Sequence, residues 1–298
     1  RVDTLFEKVP GGIVGVIQLH SFYQGSGVVA SDNDVLEAIR SLSKQGPIKG
    51  LVLDLRGNRG GFLLQAVKVA GLFIKSGVIV AAKYSDGSLR YFRDTDSKLA
   101  YKGPFVILTS KETASAAEIV AQALKDYGVA IIVGDKQTYG KGSIQTQTVT
   151  GDKDADSYFK VTVGRYYSVS GICTQFDGVK SDIVVPSYQA QRKIGEAYRA
   201  QTIKGDSIDP AFNDGLEDIA GEDKGWYEQY YLPFLQKQSD QYRKWIPELV
   251  VKSRRRVENH TNYQNLMRGD LYIVEKDGTA EKKVVLDQKA AQRTVQSM

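Results

Sequence analysis

The sequence predicts an α/β fold with a largely parallel, covered sheet, and three observations carry that prediction. Apolar, β-branched runs such as GIVGVIQL, IKGLVLDL and GPFVILT alternate with helical stretches through the first two-thirds of the chain. These runs are nearly continuous in apolar character, as strands enclosed on both faces are. At 298 residues and 42% apolar content, the chain can enclose an ample core and has room for two domains.

Each element has a local reason. GIVGVIQL is apolar and β-branched, hence a strand. In SDNDVLEAIRSLSKQG, Ser31 is expected to cap a helix with Asp34 three residues on, while Val35, Leu36, Ile39 and Leu42 recur at helical spacing. Gly46 and Pro47 stop it. IKGLVLDLRGN is a buried strand entering a glycine-rich turn, and FLLQAVKVAGLFI is an apolar helix after that turn. GVIVAAKYSDGSLRYFRD reads as two strands around an Asp-Gly turn. Then come the strand GPFVILTS, the alanine-rich helix ETASAAEIVAQALKDYG and the strand VAIIVGD. Gln145 to Pro186 is strand-like and aromatic. Past about Ser187 the chain turns polar and helical in character, broken by Pro233 and Pro247. Two modules follow: residues 1–187, α/β, and residues 188–298, mostly helical.

Composition excludes several function classes. No apolar run approaches the roughly 20 residues of a membrane span. The start, RVDTLFEKVPGG, has no Met and no apolar signal core, and reads as the inside of a longer protein. The net charge of +5 is small and mixed along the chain; only Lys252–Arg256 forms a basic run, which reads as a solvated helix face and not a nucleic-acid surface. With Cys173 alone, there is no internal disulfide and no cysteine-based metal site, and that thiol reads as a small buried residue. Only His20 and His260 are present, so a Ser-His-Asp triad is poorly supplied.

Three junctions follow buried strands, the edge at which α/β sheets build sites. In DLRGNRGGF, glycines open backbone N–H groups to an oxyanion, although a plain tight turn has the same appearance. In TSKETASAAEI, Thr113 is expected to cap the helix, placing Ser115 in its first turn, at the positive end of the helix dipole. In YGKGSIQ, Lys141 stands between two glycines that let backbone pack closely around it. A lysine acts as general base when desolvation draws its pKa from about 10.4 toward 7–8. Singly, each is a weak signal. Together they supply nucleophile, base and oxyanion hole.

The runs LVLDLRGNRGGFLLQAVKVAGLFI, TASAAEIVAQALKDYGVAIIVGD, TYGKGSIQT and GVKSDIVVP resemble the C-terminal processing peptidases. These tail-specific proteases (peptidase S41) are a Ser/Lys-dyad family. The resemblance covers Gly12 to Pro186 in consistent order and spacing. It implies a crotonase-like (ClpP/crotonase-type) α/β core with a mostly α-helical C-terminal module, and a serine endopeptidase cutting at or near protein C-terminal tails. By the same resemblance Ser115 is the nucleophile, Lys141 the base and Gln145 a residue that orients the dyad. Gly61 falls on the oxyanion-hole glycine, with the Ala116 amide as second donor. No metal or cofactor is implied. The partners implied are protein substrates with exposed, apolar tails, not nucleic acid; the oligomeric state, a homo-oligomer included, stays open. Bacterial members are mostly exported to the periplasm, and scarcity of cysteine is compatible with that location.

Three features depart from the family pattern. The family carries a PDZ domain upstream of its catalytic core, and no stretch here resembles one. Arg59 stands where relatives often have a small residue or proline, and Ser181 stands for a usual proline. Two rivals share the fold: a catalytically silent peptide or hydrophobic-ligand binder, which would need no Ser115, Lys141 and Gln145, and an acyl-CoA enzyme, whose usual carboxylates the Ser/Lys pair does not match.

Overall fold

The computed structural model describes residues 2–147, 159–261 and 263–264, and the backbone of 270–274 and 281–285. Strands β1 (Val2–Val9) and β2 (Gly12–Leu19) form a hairpin, followed by α1 (Ser31–Ser43), β3 (Ile48–Asp54) and α2 (Leu63–Gly71). Next are β4 (Gly77–Tyr84), β5 (Leu89–Asp94), β6 (Phe105–Thr109), α3 (Ala116–Asp126) and β7 (Ile131–Gly134). Strands β8 (Ser143–Gln147), β9 (Lys160–Ser168) and β10 (Ile183–Val184) complete the first part of the chain. Helices α4 (Gly221–Tyr230) and α5 (Ile246–Asn259) and the hairpin β11 (Asp270–Val274) and β12 (Glu281–Val285) lie beyond it.

The mixed α/β architecture is as expected. One sheet runs β1-β2-β3-β6-β7-β10, parallel from β2 onward, with β1 antiparallel at its edge. A second, antiparallel sheet runs β5-β4-β9-β8. Helices α2 and α3 pack on each other and against β4. The core between the sheets gathers Ile17, Leu53, Val69, Ile79, Ile107 and Val120, all withdrawn from water. Burial of such side chains contributes roughly 1.5–3 kcal/mol each.

Several local expectations are corrected. The first residues, not read as a strand, pair from Val2↔Leu19 to Val9↔Gly12 around Pro10 and Gly11. The polar, exposed β1 hides its strand character because only one of its edges is paired and no face of it is sealed. Ser31 does not cap α1: Ala30 holds that position, and the buried Ser31 hydroxyl donates to Gln65 Oε1 of α2 at 2.9 Å. Pro247 opens α5, where its missing N–H is no loss, instead of breaking a helix. The strand-like reading of residues 148–158 falls outside the described residues.

Beyond Ser187 the chain returns repeatedly to the core. Glu196 N–H donates to Tyr139 O (2.8 Å), Gln236 N–H to Ser76 O (2.7 Å) and Ser239 N–H to Tyr127 O (2.9 Å). Arg93, with 4% of its side chain exposed, meets Asp214 at 2.6 Å and Asp218 at 2.5 Å. The basic run in α5 lies on an exposed helix face, with Lys252 paired to Glu248 at 2.5 Å. No helix among the described residues is long and apolar enough to cross a membrane.

Candidate active site

Strands β3, β6 and β7 are neighbours in the parallel sheet, so the loops leaving their C-terminal ends converge at one edge. Those are the three junctions singled out above. Asn58, fully buried, ties two of them together. Its side chain donates to Leu19 O (2.8 Å) and accepts from Gly60 N–H (2.8 Å), while its backbone O accepts from Ala114 N–H (3.0 Å).

The glycine loop lies flat against the start of α3. A Cβ on Gly60 would sit 2.9 Å from Ser115 Cβ and 3.0 Å from Ala116 N; one on Gly61 would sit 2.0 Å from Phe22 O. Both glycines also have left-handed φ values, 97° and 147°. With Gly60 N–H taken by Asn58, the amides of Gly61 and Ala116 have no hydrogen-bond partner among the described residues.

Ser115 is the N-cap of α3, which corrects the expectation that Thr113 caps the helix. Thr113 is instead buried, donating its hydroxyl to Leu55 O (2.8 Å) and accepting from Ser110 N–H (2.9 Å). Ser115 has φ 58° and ψ −121°, a conformation that costs an L-residue about 1–3 kcal/mol and persists only where surroundings impose it. Ser115 is half-buried while Ala114, Ala116 and Ala117 are enclosed.

The imposing group is Glu118, with no solvent exposure. Its Oε2 accepts Ser115 N–H (2.8 Å) and Lys141 N–H (2.8 Å); its Oε1 accepts Gly140 N–H (2.6 Å) and the Thr138 hydroxyl. One carboxylate thus holds the backbone of the serine and of the lysine together. Burial pushes the Glu118 carboxyl above its ordinary range, and those four hydrogen bonds pull it down. The sequence contains the signal: Ser115-Ala-Ala-Glu118 is a capping box, two residues beyond Thr113, whose side chain has the same capping chemistry.

Lys141 is half-buried and Gln145, on β8, is exposed; both line one cavity of about 630 Å³ with Arg59, Ala114, Glu112 and Tyr139. Residues 194–199 supply its remaining wall, through Ile194, Glu196 and Arg199. The Ser115 hydroxyl and the Lys141 side-chain nitrogen are not hydrogen-bonded to each other. Arg59 projects from the loop rim with 78% of its side chain exposed, paired to Glu112 at 2.7 Å. Ser181 donates its hydroxyl to Asp135 O (2.7 Å), a bond the usual proline lacks.

The remaining candidates stay outside this chemistry. Cys173 is buried, and burial raises its thiol away from the reactive thiolate form. His20 bonds Asp3 of the hairpin at 2.6 Å, and His260 ends α5.

The profile described as peptidase family S41 matches residues 13–185. A tail-specific protease of Haemophilus influenzae is 34% identical over 211 residues, 69% of this chain and 29% of that protein. The carboxy-terminal processing protease CtpA of Bacillus subtilis is 34% identical over 183 residues, 61% of this chain and 37% of that one. Among solved structures, a photosystem II D1 C-terminal processing protease superposes with a TM-score of 0.53 at 32% identity, covering 62% of this chain and 48% of that one. The chain therefore spans about a third of the length of these two curated relatives. With more than half of its residues inside the matched stretch, the chain belongs to peptidase family S41.

Proposed function

We propose that the protein is a serine endopeptidase that cleaves proteins at or near their C-terminal tails with a Ser115/Lys141 dyad. The catalytic unit is a crotonase-like core, residues 1–187, and residues 188–298 form an appended module. The observation that carries this reading is the Glu118 carboxylate, which accepts the backbone N–H of both Ser115 and Lys141. A peptide binder has no need of a strained serine tied to a lysine through a buried acid.

The chemistry follows from the geometry. Ser115 Oγ attacks the scissile carbonyl carbon, and its proton passes to Lys141 Nζ, acting as the base. Negative charge gathers on the former carbonyl oxygen, where the unpartnered amides of Gly61 and Ala116 donate to it. Collapse of that intermediate breaks the C–N bond; the departing amine takes the proton from Lys141 and leaves an ester on Ser115. Water, deprotonated by Lys141, then attacks the ester carbon; the C–Oγ bond breaks, Lys141 returns the proton to Ser115 Oγ, and the acid is released. Gln145, on the first strand after the lysine, orients the Lys141 side chain in the cavity they share. A Ser–Lys hydrogen bond that tightens only with substrate bound is ordinary for such sites.

The names of the relatives support tail processing, and an apolar, exposed C-terminus is the substrate class this reading takes. Export from the cytoplasm goes with the same reading. The test is digestion of casein by this chain beside Ser115→Ala and Lys141→Ala. Loss of cleavage in both variants with folding unchanged supports the dyad. Survival of cleavage in Ser115→Ala removes Ser115 as nucleophile, and saturable tail-peptide binding without cleavage by any form leaves the silent-binder alternative.

A further inference from the structure

The three consecutive amides of Gly140-Lys141-Gly142 are all taken by side-chain acceptors. Glu118 receives the first two, and Gln175 Oε1 receives Gly142 N–H at 2.9 Å. Gln175 has 4% exposure and sits on the 175–177 turn, beyond the hairpin that follows β9 and far from the dyad in sequence. The loop is pressed against that turn. A Cβ on Gly142 would lie 2.6 Å from Gln175 N, and Phe176 N–H donates to Gly140 O at 2.8 Å.

Gln175 is itself oriented. Its Nε2 donates to Glu196 Oε2 at 3.5 Å, and Glu196, 9% exposed, is anchored by its own N–H on Tyr139 O. An amide between an N–H and a carboxylate has only one satisfying orientation, oxygen toward the donor and nitrogen toward the acid. Glu196 lies beyond residues 13–185, so support for the lysine loop reaches outside the matched family stretch.

We propose that Gln175, oriented by Glu196, is a positioning residue for Lys141: it fixes the loop at Gly142, next to the two amides that Glu118 holds, and makes the site depend on residues beyond the matched stretch. The proposal rests on the dyad reading above. Losing the acceptor frees Gly142 N–H and lets the lysine swing; a displacement of about 1 Å costs on the order of 10²-fold in rate when the group acts in the chemical step.

The test measures kcat, KM and the melting temperature on a quenched fluorescent peptide with a free apolar C-terminus. The variants are Gln175→Met, Gln175→Glu, the exchanged pair Gln175→Glu with Glu196→Gln, and Lys141→Ala. Gln175→Met is expected to lose about tenfold or more in kcat with KM within about twofold. Gln175→Glu alone sets two carboxylates face to face and is also impaired. The exchanged pair restores an acceptor for Gly142 N–H and a donor between the two side chains, and is expected to recover kcat to within about threefold of the parent. This exchange also decides the case if Gln175→Met folds poorly. Parental kcat in Gln175→Met, with Lys141→Ala inactive, overturns the proposal alone; so does an exchanged pair that melts like the parent yet stays impaired. Cleavage surviving Lys141→Ala overturns the dyad reading instead.

Discussion

Helix α3 buries nine of its eleven residues, whereas α4 and α5 bury none of theirs. The same secondary structure is therefore held in two ways. In α3 the alanines and Ile119, Val120 and Leu124 seal the helix between the sheets, so packing and the Glu118 carboxylate together fix where Ser115 stands. In the extension, isolated polar ties such as Ser239 to Tyr127 and Tyr242 to Gly103 locate the chain. The lesson is that the site takes its precision from the core and its outer wall from the extension, joined at Tyr139 and Gln175.

The largest effect expected from breaking this arrangement is at Glu118, where packing and polar ties coincide. Glu118→Gln keeps the shape but gives up one acceptor. Whichever way the amide turns, two of four donors then face an NH₂ group. Each buried donor left unpaired costs about 1–3 kcal/mol. We expect kcat to fall on the order of 10²-fold, with a lowered melting temperature. A variant with parental kcat would show that packing of α3 holds Ser115 and Lys141 in place without the carboxylate.

How much of this was legible in the sequence follows the same division. The runs that became β2, β3, β6 and β7, and helices α1 to α3, were readable because their apolar periodicity is the burial pattern itself. Ser115, Lys141 and the glycine loop could be picked out because each follows such a strand. Asn58 and Thr138 were hidden because a buried polar residue leaves no periodic trace; only its partners, distant in sequence, explain it. Gln175 and Glu196 were hidden for the same reason. Glu118 alone carried a local signal, its capping box with Ser115. Strand β1 was illegible because its residues stay exposed.

Strand β5 offers the same comparison at two adjacent residues. Arg93 faces the extension and is fully engaged: Nε and one terminal nitrogen meet Asp214, and further bonds reach Asp218, while Tyr231 donates its hydroxyl to Asp214 Oδ2 at 2.7 Å. Removing one partner of a buried pair costs about 3–5 kcal/mol, because the remaining charges stay enclosed. Arg93→Met strands two carboxylates and is expected to destabilise by about that amount in a denaturant titration. A loss under about 1 kcal/mol would mean that the extension does not depend on this junction.

Asp94 lies one residue on and has no comparable partner. Its Oδ2 is enclosed without a hydrogen bond, and the carboxyl presses on Gly71 of α2, where a Cβ would meet Asp94 Cγ at 2.6 Å. Burial pushes its pKa up to about 7 from the ordinary 3.8. The fold therefore favours the neutral acid. That stability is fully present below the unfolded value near 4 and is lost as pH rises through about 7, at up to ~1.4 kcal/mol per pH unit. Asp94→Asn supplies a neutral group of the same shape. It is expected to match the parent near pH 4, and to exceed it by up to about 4 kcal/mol at pH 8, with a flatter profile between. The measurement is the denaturation midpoint of both proteins across that range. Parallel pH profiles would mean that Asp94 is charged in the folded protein, its enclosed oxygen satisfied, and the contrast with Arg93 would disappear.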